Sequence, residues 1–175
     1  MKFIKGFDKH LKCRGKRYNI GKSFHVKGEL KICSNGIHFC DSWMDVVQYY
    51  HDPDTRYCEV EPIGQIIHEG NKYCAKGIKV IRELTAKEIV DEFIPDINAN
   101  DNDGWTPLYW ACYYGKTDIV KYLIENGADV NDNDNYGRSC LHVACWNGYT
   151  DIVKYLIENG ADVNAWMNFA LVVLA

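Results

Sequence analysis

The stretch TDIVKYLIENGADVN occupies residues 117–131 and returns unchanged at residues 150–164, 33 positions later. The register extends outward, because DNDGWTPLYWACYYGK (101–116) aligns with DNYGRSCLHVACWNGY (134–149). A fixed period of this length marks a supersecondary unit used again, one that buries its apolar face only by stacking on a neighbour. The turn clusters DNDG and DNYG suit tight turns, and Thr106 or Ser139 is placed to cap the helix that follows. Pro107 falls at the first helical position, where its missing N–H costs nothing. Leu108, Ala111 and Cys112 form the apolar stripe of a short first helix. Ile119, Val120, Leu123 and Ile124 give the second helix its buried face, and Gly127 is the expected left-handed residue after it.

Gly104, Thr106, Pro107, Leu108, Ala111 and Gly115, followed by DIVKYLIENGADVN, resemble the ankyrin repeat over about residues 85–164. The resemblance implies an all-α array of helix-turn-helix repeats that binds a protein partner. Upstream, TAKEIVDEFIPDIN matches the second helix in shortened form through Ile89, Val90, Phe93 and Ile94, with Thr85 and Glu88 as a capping box. The array is therefore expected as a half repeat (85–98) and full repeats at 101–133 and 134–164. This is short of the roughly three repeats an independent array needs, so its stability is expected to draw on the first domain. The segment AWMNFALVVLA (165–175) breaks the pattern and reads as an irregular apolar cap or a truncated repeat.

If the identical residues are scaffold, recognition belongs to the positions left free. In ankyrin folds these are the hairpin tips and the exposed side of the first helix. They hold Asn102, Asp103, Trp105, Tyr113 and Tyr114 in one repeat, and Asn135, Tyr136, Arg138, Trp146 and Asn147 in the next. Trp, Tyr and Arg are enriched at binding hot spots because they bury large areas at low rotamer cost. Tyr109 and His142 occupy equivalent places where the family usually holds a structural histidine.

The chain is 175 residues long, 47% hydrophobic and 25% charged, enough for one domain or two small ones. No apolar run approaches the roughly 18 residues that span a bilayer, and MKFIKGFDKH lacks a secretion signal's apolar stretch, so a cytoplasmic protein with reduced thiols is expected. The net charge of −4 hides an asymmetry: residues 1–84 carry 15 Lys/Arg against 10 Asp/Glu, and the remainder 5 against 14. The acidic second half argues against phosphate binding by the repeats, and the basic segment from Lys2 to Lys22 carries no nucleic-acid motif. A monomer or weak oligomer is expected.

Residues 1–84 read as a small α+β domain. Strands are expected at KFIKGF, SFHVK, ELKIC, GIHFC, YCEVE, GQIIH and IKVIREL, and one helix at DSWMDVVQYY, capped by Ser42 or Asp41. The combination KGFDKHLKCRG, CSNGIHFC and RYCEVEPIG resembles a domain of phage and bacterial proteins whose function is not established. Two chemistries fit residues of this domain. Cys33, His38 and Cys40 are close enough to suggest zinc, against the reading of buried thiols packing as small hydrophobes. NGIHFCDSWMDVVQYY also resembles the strand-then-helix element of ADP-ribosyltransferases, which implies NAD as cofactor and Arg14, His38 and Glu59 or Glu61 as catalytic groups. Cys40 stands there in place of the usual hydroxyl. The leading expectation is an interaction module without cofactor, a phage or bacterial factor acting on a host protein; the alternative is an NAD-dependent ADP-ribosyltransferase targeted by its repeats.

Overall fold

A computed structural model of the chain describes residues 1–32 and 35–164 and divides it into two compact regions, 1–94 and 95 onward. Cys33 and the apolar segment 165–175 lie outside the described residues.

The first region is rich in sheet. Strands β1 (Phe3–Phe7), β4 (Ser23–His25), β5 (Ile37–Phe39), β6 (Arg56–Glu69) and β7 (Lys72–Glu83) form one antiparallel sheet in the order β1-β6-β7-β4. β5 shares the edge of β7 with β4, pairing at 73–75 where β4 pairs at 77–79. A second ribbon joins β2 (Lys12–Cys13) to β3 (Lys16–Arg17). Phe7, Tyr18, Ile37, Phe39, Cys58, Val60, Ala75, Ile78 and Val80 make the core. Helix α1 (Trp43–Tyr49) buries Trp43, Val46 and Val47. Helix α2 (Ala86–Phe93) opens with the expected reciprocal capping box between Thr85 and Glu88 and buries Ile89, Val90 and Phe93.

Several local expectations are corrected. YCEVE and GQIIH are one strand, since β6 runs through Pro62 and Gly64 and absorbs the breaks as register shifts at Glu59/Val60 and Ile63/Ile66. Residues 29–32 of ELKIC form no strand; Lys31 makes an isolated bridge with Asn35. Ser42 holds the N-cap position of α1 without a side-chain cap bond, and Asp41 instead accepts from Tyr73 Oη at 2.8 Å. The ribbon of β2 and β3 was not expected, because two-residue strands carry no periodicity.

The second region contains two helix pairs, α3 (Pro107–Tyr113) with α4 (Thr117–Glu125) and α5 (Cys140–Trp146) with α6 (Thr150–Glu158). Thr106 Oγ1 accepts from Tyr109 N and Ser139 Oγ from His142 N, and Pro107 is at the first helical position. Val120, Leu123 and Leu156 are fully buried, and Gly127 takes φ +93° after α4. Ile124 is only half-buried.

Candidate protein-interaction surface

Each repeat begins with a turn built on one aspartate. Asp101 Oδ1 accepts from the backbone N–H of Asp103 at 3.0 Å and of Trp105 at 2.9 Å. Asp134 Oδ1 accepts from Tyr136 and Arg138 in the same way, each at 2.9 Å. The second carboxylate oxygens differ. Asp101 Oδ2 accepts from Trp110 Nε1 of its own repeat at 3.0 Å, whereas Asp134 Oδ2 accepts from Arg138 Nε at 2.7 Å and from Tyr109 Oη of the preceding repeat at 3.0 Å. Burial pushes the Asp134 carboxyl up, but the bonds from Arg138, Tyr109 and Tyr136 outweigh it and hold the group below the ordinary aspartate value.

A backbone ladder stacks the turns. Asn135 donates through N to Asp103 O at 3.1 Å and through Nδ2 to Asn102 O at 3.0 Å. Below it, Asn98 Oδ1 accepts from Asp129 N, and Asn131 Oδ1 accepts from Asp162 N, with a 31-residue separation in each case.

The residues expected to read a partner divide into two groups. Trp105, Tyr113 and Tyr114 are half-buried in an aromatic cluster with Tyr109 and Trp110: Trp105 lies 4.4 Å from Trp110 and 5.4 Å from Tyr113, and Trp110 stacks on Tyr114 at 5.5 Å between ring centroids. Asn102, Asp103, Asn135, Tyr136, Trp146 and Asn147 are exposed, Tyr136 at 60% and Trp146 at 79%. Arg138 connects the groups, its guanidinium 5.9 Å from the Trp105 ring and 5.0 Å from the Tyr136 ring. Trp146 occupies the repeat position of Tyr113, so the second repeat presents openly what the first partly covers. Sequence reasoning passed over Trp110 and the second oxygens of the turn aspartates; the recurrence of Asp at 101 and 134 was the available signal.

In the first region a cavity of about 560 Å³ is lined by Arg14, His38 and Cys40 among others. Neither Glu59 nor Glu61 lines it. Glu59 accepts from Arg82 Nε at 2.8 Å, and Glu61 faces solvent. Burial first, then the charges of Arg14, Lys5 and Lys72, push His38 down to about 4, so its ring is neutral at neutral pH. Burial pushes the Cys40 thiol up to about 12, which keeps it protonated. Among the described residues no group of three or more His, Cys, Asp or Glu side chains is arranged to hold a metal ion.

Helix pairs capped alike and stacked through equivalent turns at a 33-residue spacing define a stacked-repeat protein. Residues 77–166 match the family described as Ankyrin repeats (3 copies), and residues 1–92 match the family described as Domain of unknown function (DUF7666). The chain belongs to the ankyrin-repeat family, and its first half to DUF7666. Similar curated proteins include oxysterol-binding protein-related protein 1 of Homo sapiens, 35% identical over 68 residues that make up 37% of this chain and 7% of the relative. SMC5-SMC6 complex localization factor protein 1 of Mus musculus is 41% identical over 57 residues, 29% of this chain and 5% of the relative. Protein phosphatase 1 regulatory subunit 27 of Homo sapiens is 44% identical over 83 residues, 42% of this chain and 54% of the relative. The chain thus spans 54% or less of the length of each. Among the described residues no helix is long and apolar enough to cross a membrane.

Proposed function

We propose that this chain is an adaptor that docks a protein partner on the turn tips and first helices of its two full repeats, acting as a monomer or weak oligomer in a reducing cytoplasm. The observation that carries the reading is Trp146, a large aromatic 79% exposed on a first helix, where an idle solvated face would hold Lys, Glu or Ser. Arg138, held by Asp134 and lying between Trp105 and Tyr136, supplies a cation already fixed in position, so little rotamer entropy is lost on association. The regulatory-subunit name of one relative is a precedent for such a role. That the partner is a host protein met by a phage or bacterial factor rests on the resemblance of the first half alone.

The test compares proteins captured by the wild-type chain with those captured by Trp146→Ala and Tyr136→Ala. Both side chains are exposed, so melting followed by circular dichroism is expected to stay unchanged while the captured partner is lost. Retention of the same partner by both variants would overturn the reading.

A further inference from the structure

Lys5 lies in the middle of β1 with 1% of its surface exposed, and no carboxylate among the described residues pairs with it. Its Nζ donates to His38 O at 2.7 Å and to Tyr50 Oη at 2.5 Å, and it sits 4.6 Å from the Tyr50 ring centroid. An ammonium has three donors, and the third meets only the sulfur of Cys13, a weak acceptor that an anion can displace. A buried amine with no counter-ion is costly to maintain and is retained where it serves a site. The neighbouring strand residue helps to create the niche: a Cβ on Gly6 would lie 2.3 Å from Tyr50 Cβ, so only glycine admits the tyrosine this close.

Lys5 lines a cavity of about 160 Å³ together with Arg14 and Lys16, and no Asp or Glu is among its described lining residues. This cavity shares Cys13, Arg14, His38 and Tyr50 with the larger one, whose walls include Tyr49 and, beside Lys12 and Lys72, the acids Asp8 and Asp52. Arg14 is held there at a cost. It is the first central residue of the turn joining β2 to β3, with φ +49° before Gly15 at +75°. Hairpin turns with two left-handed residues favour Asn-Gly, and an arginine in that conformation is uncommon. Arg14 forms no ion pair among the described residues.

We propose that this corner is a binding site for a small phosphate-bearing molecule with a flat apolar body, its phosphate on Lys5 and Arg14 and its body against Tyr49 and Tyr50. In the smaller cavity Lys5, Arg14 and Lys16 stand with no acid among the described lining residues, which matches a phosphate monoester, carrying nearly two charges at neutral pH, better than a single carboxylate. The guanidinium fork also fits phosphate oxygens in pairs. The site lies wholly in the first region and is independent of the reading of the repeats.

The experiment is isothermal titration of the full chain with phenyl phosphate, inorganic phosphate and benzoate. Phenyl phosphate is expected to bind saturably and at least tenfold more tightly than the other two. Arg14→Asn is expected to weaken it tenfold or more without lowering the melting temperature, because asparagine accepts the left-handed turn; loss of binding with retained stability separates ligand recognition from a structural role. Lys5→Met is expected to abolish binding, and if that variant does not fold, Arg14→Asn decides. Absence of saturable phenyl phosphate binding, equal affinity for benzoate, or unchanged affinity in Arg14→Asn would overturn the proposal.

Discussion

Tyr109, in the first helix of one repeat, donates its phenolic hydrogen to Oδ2 of Asp134, in the turn that opens the next, across 3.0 Å. The Asp134 side chain is wholly buried and also accepts from Arg138 Nε and from two backbone N–H groups. Asp134→Ala would strand these donors together; with Arg138 keeping access to water, the loss expected in urea unfolding is about 2–3 kcal/mol, against about 1 kcal/mol for Tyr109→Phe. The carboxyl is held below its ordinary value, so its contribution is present above the unfolded value of about 3.9 and is lost as pH falls through the lower folded value. Acid unfolding of Asp134→Asn is therefore expected to be less steep below pH 4 than that of wild type.

Arg82 gathers three carboxylates: Nε donates to Glu59 at 2.8 Å, Nη1 to Glu88, and Nη2 to Glu92 at 2.7 Å. Arg82→Ala leaves the three acids facing one another and is expected to lower the melting temperature. The loss should shrink in 1 M NaCl, where the screening length falls from about 10 Å to about 3 Å. An equal loss at low and high salt would show that packing of the arginine stem, not charge, is at issue.

Gly104 turns the first hairpin at φ +79°, and a Cβ there would lie 2.7 Å from Asn135 Oδ1 and 2.9 Å from Asn135 N. Gly104→Ala combines left-handed strain with a collision against the ladder that joins the two repeats. A loss of about 2 kcal/mol or more is expected in urea unfolding. A neutral result would mean that the ladder does not couple the repeats.

Among the described cysteines Cys145 is exposed and Cys13 half-buried, while Cys40, Cys58, Cys74, Cys112 and Cys140 are buried. Burial pushes Cys58, like Cys40, up to about 12. Alkylation by iodoacetamide at pH 8, read by mass spectrometry, is expected to modify Cys145 first and Cys13 second, and to reach the other five only on unfolding. Comparable native labelling of Cys58 and Cys145 would contradict this packing.

The repeats were legible because their signals are local. A cap, a helical stripe and a turn aspartate each act within a few residues, so Thr106, Ser139, Pro107 and the Thr85–Glu88 box could be placed without knowing what lay across the fold. The first region was less legible. β6 passes through Pro62 and Gly64, which read as breaks, because pairing with β7 on one side and β1 on the other outweighs local preference.

The sequence by itself determined the 33-residue period, the helix pairs and the opposite charge of the two halves, since these depend on residue type and spacing alone. Only the tertiary structure decided that Lys5, one of many basic residues near the start of the chain, is buried beside Tyr50, and that Arg14 and His38 share a cavity while Glu59 is taken by Arg82. Those relations join residues 23 to 45 positions apart, and no periodicity or local propensity encodes which side chains meet once strands distant in sequence pair.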